Sequence, residues 1–144
     1  MALILIVDDE PSVRRLLARW IGGAGHEILE AESADAALEV MEKQRAAVVF
    51  SDIQMPGRDG LWLTSEVRGR YPTTAVVLAT SVSSVAPDIS MRVGVLAYLV
   101  KPFSQQAVIR ALDEALSWHT ETEISGPREE DTDQKLQDWL SSLE

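Results

Sequence analysis

The sequence predicts an α/β protein built on a five-stranded parallel sheet with helices on both faces, a doubly wound three-layer sandwich. Three observations predict it. Short apolar runs rich in Val, Ile and Leu recur along the chain, as expected of strands covered on both sides. Stretches with helical periodicity lie between them. The two kinds of segment alternate, separated by brief punctuation rather than by hairpin turns.

The first strand is Leu3-Ile4-Leu5-Ile6-Val7. A helix follows, with Val13, Leu16, Leu17, Trp20 and Ile21 forming one apolar stripe. Pro11 suits its first turn and Gly22-Gly23 its end. His26 to Ala31 alternates in polarity, which fits an edge strand. Ser33 is placed to cap a helix through about Lys43, with Ala37, Leu38 and Met41 inward. Ala46 to Phe50 is a third strand running into Asp52. After the turn Met55-Pro56-Gly57, a helix over Gly60 to Arg68 buries Leu61, Leu63 or Trp62, and Val67. Ala75 to Ala79 is the fourth strand, ending at Thr80. A Ser-rich loop leads to a short helix around Asp88 to Val93, closed by Gly94. The fifth strand, Ala97 to Val100, ends at Lys101-Pro102. Ser104 can cap a last core helix that buries Val108, Ala111, Leu112, Ala115 and Leu116.

This organisation gives one core domain over residues 1–118, an acidic linker over 119–130 and a short amphipathic helix over 131–144. In that last helix Leu136, Trp139, Leu140 and Leu143 share a face, and Asp131 with Gln134 can form a capping box. Alone it would be marginal in water, so it needs a surface to cover.

The net charge of −10 is concentrated at the end: residues 119–144 hold eight acids and two bases. An acidic surface repels phosphate backbones, so direct nucleic-acid binding is not expected. There is no cysteine, which excludes disulfides and thiolate metal sites. The apolar start is too short for a membrane span and lacks the basic flank of a signal peptide. The expectation is a cytoplasmic protein without a membrane contact.

The conspicuous polar residues all fall at carboxyl ends of strands: Asp8-Asp9 after the first, Asp52 after the third, Thr80 after the fourth, Lys101 after the fifth. In an open parallel sheet, sites form at that edge. Three carboxylates gathered there repel by about 4 kcal/mol per pair at about 4 Å and an effective dielectric near 20. A proton or a hard divalent cation must relieve this, and Mg²⁺ takes carboxylate oxygens while keeping room for phosphate. With Lys101 as a second cation and Thr80 as a hydroxyl donor, the set suits in-line phosphoryl transfer to Asp52. The N–H groups of Ile53 and Gln54 are expected to face the same mouth. Taken singly, each residue has an ordinary reading as a cap, a turn or an element boundary. Their joint placement on successive strands does not.

These residues resemble the receiver domains of two-component response regulators. The resemblance covers about residues 2–118. It is carried by Asp8-Asp9, by Asp52-Ile53-Gln54-Met55-Pro56-Gly57-Arg58-Asp59-Gly60, by Thr80-Ser81, and by Tyr98-Leu99-Val100-Lys101-Pro102-Phe103. It implies a flavodoxin-like fold with strand order 2-1-3-4-5. It implies that Asp52 takes a phosphoryl group from a phosphohistidine of a sensor histidine kinase or phosphotransfer protein. Asp9, Asp52 and the Gln54 carbonyl would ligate Mg²⁺, with Asp8 acting through water. Lys101, Thr80 and the backbone of Ile53, Gln54 and Ser81 would hold the phosphoryl oxygens, and the Lys101–Pro102 bond would be cis. Thr80 and Tyr98 would switch the face made by the short helix near Asp88, the fifth strand and the last core helix. Gln54 and Val82 occupy positions that tune phosphoryl lifetime in the family.

Two other classes compete. A constitutive interaction module on the same fold would not need the complete acidic set. An Asp-nucleophile phosphatase needs a general acid two residues after the nucleophile, where Gln54 stands, and a cap for which no insertion is present. Residues 119–144 are too few for a winged helix or a catalytic output domain. A stand-alone receiver and a receiver fragment of a longer regulator both remain open. The tail stripe or the switch face would serve a homodimer or another protein partner.

Overall fold

A computed structural model of the chain describes residues 2–80 and 95–125. Among the described residues, five strands and four helices follow in the order β1 (Leu3–Val7), α1 (Pro11–Gly23), β2 (Glu27–Ala31), α2 (Ala34–Lys43), β3 (Val48–Asp52), α3 (Gly60–Arg70), β4 (Ala75–Thr80), β5 (Val95–Val100) and α4 (Gln105–Ser125). All strand pairs are parallel, in the order β2-β1-β3-β4-β5. This is the α/β three-layer fold expected, and β2 is the half-exposed edge.

Strand alternation divides the core in two. Leu5, Val7, Val49, Val76 and Leu78 face one side, where Ala37, Leu38 and Met41 of α2 and Leu63 and Val67 of α3 pack on them. Ile4, Ile6, Val48, Phe50 and Val77 face the other, under Leu17 and Ile21 of α1 and Val108, Leu112, Ala115 and Trp118 of α4. Successive side chains of a strand point to opposite faces, so an unbroken apolar run is what a central strand between two helix layers requires.

Three helices open on a side-chain cap. Ser33 Oγ accepts from Ala36 N–H at 3.1 Å, Asp59 Oδ1 from Trp62 N–H at 2.9 Å, and Ser104 Oγ from Ala107 N–H at 3.0 Å. Each satisfies a backbone donor that the first turn leaves open. Helix α1 has no side-chain cap and begins at Pro11.

Some boundaries differ from the sequence reading. β3 begins at Val48; Ala46 and Ala47 are buried ahead of it. In α3 the buried anchors are Leu63 and Val67, with Leu61 and Trp62 only partly covered. The larger correction concerns the linker placed over 119–130. Residues 119–125 are helical and continue α4. Thr122 is buried there, His119 Nδ1 donates to the Thr73 carbonyl at 2.7 Å, and Thr73 Oγ1 donates to Glu123 at 3.2 Å. Polar contacts with the β4 entrance hold this turn, so it leaves no apolar stripe to read. The expected helix around Asp88 to Val93, the rest of the linker and the helix over 131–144 lie outside the described residues. Among the described residues, no helix is long and apolar enough to cross a membrane.

Candidate metal and phosphoryl site

The strand order brings the carboxyl ends of β1 and β3 side by side at the centre of the sheet. Asp8 leaves β1 into a buried position, 2% exposed, while Asp9 next to it is exposed. Asp52 is the last residue of β3, paired in register with Ala79 and 5% exposed. One oxygen from each of Asp8, Asp9 and Asp52 lies within 4.8 Å of the others. Residues 44 apart in sequence thus form one crevice.

Lys101 closes the crevice from the β5 side. Its Nζ donates to Asp8 Oδ2 at 2.9 Å and to Asp52 Oδ2 at 3.4 Å. The Lys101–Pro102 bond before α4 is cis. The ammonium therefore already meets part of the demand for positive charge. Burial alone would push the lysine down, but the hydrogen bond to Asp8 and the charges of Asp8 and Asp52 outweigh it and hold Lys101 above the usual lysine range. Asp52 moves the other way from a surface acid. Burial pushes its carboxyl above the usual range, Lys101 opposes this, and the Asp8 charge adds to it.

The backbone around Asp52 is tightly specified. Gln54 N–H donates to Asp52 Oδ1 at 3.3 Å, so this donor does face the mouth. Ile53 N–H does not: it donates to the Ala79 carbonyl at 2.8 Å, continuing the β3–β4 ladder by one residue. The expectation that it is free for phosphate is corrected. Gly60 N–H donates to the Ile53 carbonyl at 2.9 Å, and a Cβ on Gly60 would collide with the Asp52 carbonyl oxygen. Glycine is needed there because the start of α3 lies directly on the backbone of Asp52 and Ile53.

Thr80 ends β4 beside Val100. Ser81 and Val82 lie outside the described residues. Tyr98 on β5 belongs to the core on the same face of the sheet as Leu63 and Val67, 4% exposed, with its hydroxyl pushed up by burial. One contact was not foreseen. Arg14 of α1 reaches back and donates from Nη1 to the Asp8 carbonyl at 2.6 Å. A basic residue within an amphipathic helix carries no mark of it, because the contact depends on how α1 leaves the sheet.

Three hard oxygen donors fit a hard divalent cation. Mg²⁺ holds oxygens at about 2.0–2.1 Å, so two on opposite sides stand about 4.2 Å apart. Adjacent oxygens of its octahedron stand about 2.9 Å apart, so the three acids, now within 4.8 Å of one another, would draw closer around an ion.

The model of the response regulator receiver domain family matches residues 4–113. The response regulator protein FleR of Pseudomonas aeruginosa is 38% identical over 109 residues, covering 75% of this chain and 23% of that protein. The DNA-binding transcriptional regulator NtrC of Klebsiella pneumoniae is 35% identical over 117 residues, covering 81% and 25%. The chain spans about a quarter of the length of these curated relatives. Among solved structures, a response regulator receiver domain protein from Clostridium thermocellum superposes with a TM-score of 0.75 at 27% identity, covering 81% of this chain and 95% of that one.

Proposed function

Since this chain belongs to the response regulator receiver domain family, we propose that Asp52 accepts a phosphoryl group from a phosphohistidine on a sensor histidine kinase or phosphotransfer protein. The reaction is Mg²⁺-dependent, and it switches an output surface in a cytoplasmic phosphorelay. The observation that carries this reading is the meeting of Asp8, Asp9 and Asp52 in one crevice with Lys101 bonded to two of them.

Asp9, Asp52 and the Gln54 carbonyl would hold the ion, with Asp8 acting through water; bound there, it supplies charge neutralisation for the phosphoryl oxygens. An Asp52 oxygen bonds to phosphorus as the P–N bond of the phosphohistidine breaks. The electron pair leaves with the imidazole, which takes up a proton, and an acyl phosphate remains. Asp52 must attack as the anion. Burial works against that form, while Lys101 and Gln54 N–H support it. Lys101, the Gln54 and Ser81 N–H groups and the Thr80 hydroxyl then hold the new oxygens, and Tyr98 with Thr80 relays the change to the β5 face. Output runs through that face or the C-terminal stripe, to a second copy or another protein. The domain itself, with its excess of acids, makes no nucleic-acid contact.

The test is labelling with acetyl phosphate and Mg²⁺, read by intact mass. Wild type gains one phosphoryl group; Asp52→Asn, or wild type with a chelator, gains none. A wild type that stays unlabelled would instead point to the constitutive interaction module.

A further inference from the structure

We propose that Arg14 is a positioning residue for the metal-binding turn, holding the Asp8–Asp9 peptide so that the Asp9 carboxylate is presented to the cation. The inference rests on the Mg²⁺ reading above. It starts from a difference between the two acids. Asp8 is buried and anchored three times. Its N–H donates to the Ala31 carbonyl at 3.2 Å, its Oδ1 accepts from Glu10 N–H at 2.9 Å, and its Oδ2 accepts from Lys101. Asp9 is exposed, and its place is set by the backbone on either side.

The preceding peptide is gripped by Arg14. At 2.6 Å, the bond from Nη1 to the Asp8 carbonyl is short for an N–H donor, as charge-assisted bonds are. A peptide is planar, so fixing its carbonyl direction also fixes the direction in which the Asp9 Cα departs. Glu30 on β2 aims the guanidinium: its Oε1 lies 3.4 Å from Nε. Arginine suits the task because its fork serves two partners from one rigid plane. The Arg14 side chain is mostly buried, 17% exposed, so its charge also stands behind the acidic crevice with little screening.

Outer partners that orient metal-ligating groups change metal affinity by roughly 10–100-fold when removed. The experiment is calorimetric titration of Mg²⁺ into wild type, Arg14→Ala, Arg14→Lys and Glu30→Gln, followed by acetyl phosphate labelling across Mg²⁺ concentrations. Arg14→Ala is expected to raise the Mg²⁺ Kd about tenfold and to move half-maximal labelling to higher Mg²⁺ by the same factor. Labelling at saturating Mg²⁺ stays within about twofold of wild type, because the nucleophile itself is untouched. Arg14→Lys keeps a cationic donor and recovers part of the affinity. Glu30→Gln gives a smaller rise. A role confined to packing would lower the unfolding midpoint of the metal-free protein and leave Kd unmoved. A folded Arg14→Ala with the wild-type Kd overturns the inference. If that variant does not fold, wild-type Kd values in both Arg14→Lys and Glu30→Gln overturn it. If wild type binds no Mg²⁺, the functional reading fails first and this inference with it; an unaffected variant beside a binding wild type removes this inference alone.

Discussion

Asp52 sits in surroundings that favour its neutral form, with burial raising its carboxyl against the pull of Lys101. Its native carboxyl titrates above the unfolded one, so the folded state binds more protons across the window between them. The stability that comes from protonated Asp52 is complete below the unfolded value of about 3.8 and is lost as pH rises through the raised native value. Asp52→Asn removes this cost. Without Mg²⁺ the variant should unfold a few degrees above wild type at pH 7, and the gap should shrink as pH falls towards 4. Thermal melts of both proteins across that range check it; a gap independent of pH would contradict the linkage. The place of Asp52 in the acidic crevice was legible from its position after a buried apolar run. The use of the Ile53 N–H was not, since it depends on the β3–β4 register, which periodicity does not supply.

Helix α4 shows where element reading succeeds and where it stops. Val108, Ala111, Leu112 and Ala115 repeat at helical spacing, and all four are buried. Beyond them, Trp118 is 1% exposed, and the Arg68 guanidinium lies 5.4 Å from its ring centroid. Arg68 is itself buried enough to be lowered to about 10. Its Nη atoms donate to the Tyr71 and Pro72 carbonyls just past the end of α3, so the guanidinium that lies over Trp118 is held in place from its own side. Trp118→Ala should cost about 3–5 kcal/mol, from lost burial plus the cavity left behind. Urea unfolding measures it, and a loss below about 1 kcal/mol would mean the site collapses around the gap. The next turn escaped the sequence reading because Thr122 is a polar residue in a buried place. His119 and Glu123 likewise act through contacts with Thr73, far away in the chain. A stripe criterion counts apolar side chains, and here the docking is done by hydrogen bonds.

For the whole molecule, the legible part was whatever depends on alternation: five parallel strands, helices between the first four of them, and acids gathered at one edge. A cation bound in the acidic crevice would add to global stability, because the unfolded chain scatters these carboxylates. A ligand at 100 times its Kd adds about 2.7 kcal/mol to the folded state. Wild type should therefore gain stability on Mg²⁺ addition, while Asp52→Asn gains much less, reversing their metal-free order. Denaturant melts with and without Mg²⁺ test this, and equal gains would place the ion elsewhere. Lys101 gives the sheet one more property. Its ammonium, just past the end of β5, bridges to acids at the carboxyl ends of β1 and β3, across the intervening β4. Any guest anion in the crevice competes for that same ammonium. Tyr98 stands three residues upstream, so one short strand leads to the cation at the mouth and also carries a ring buried in the core.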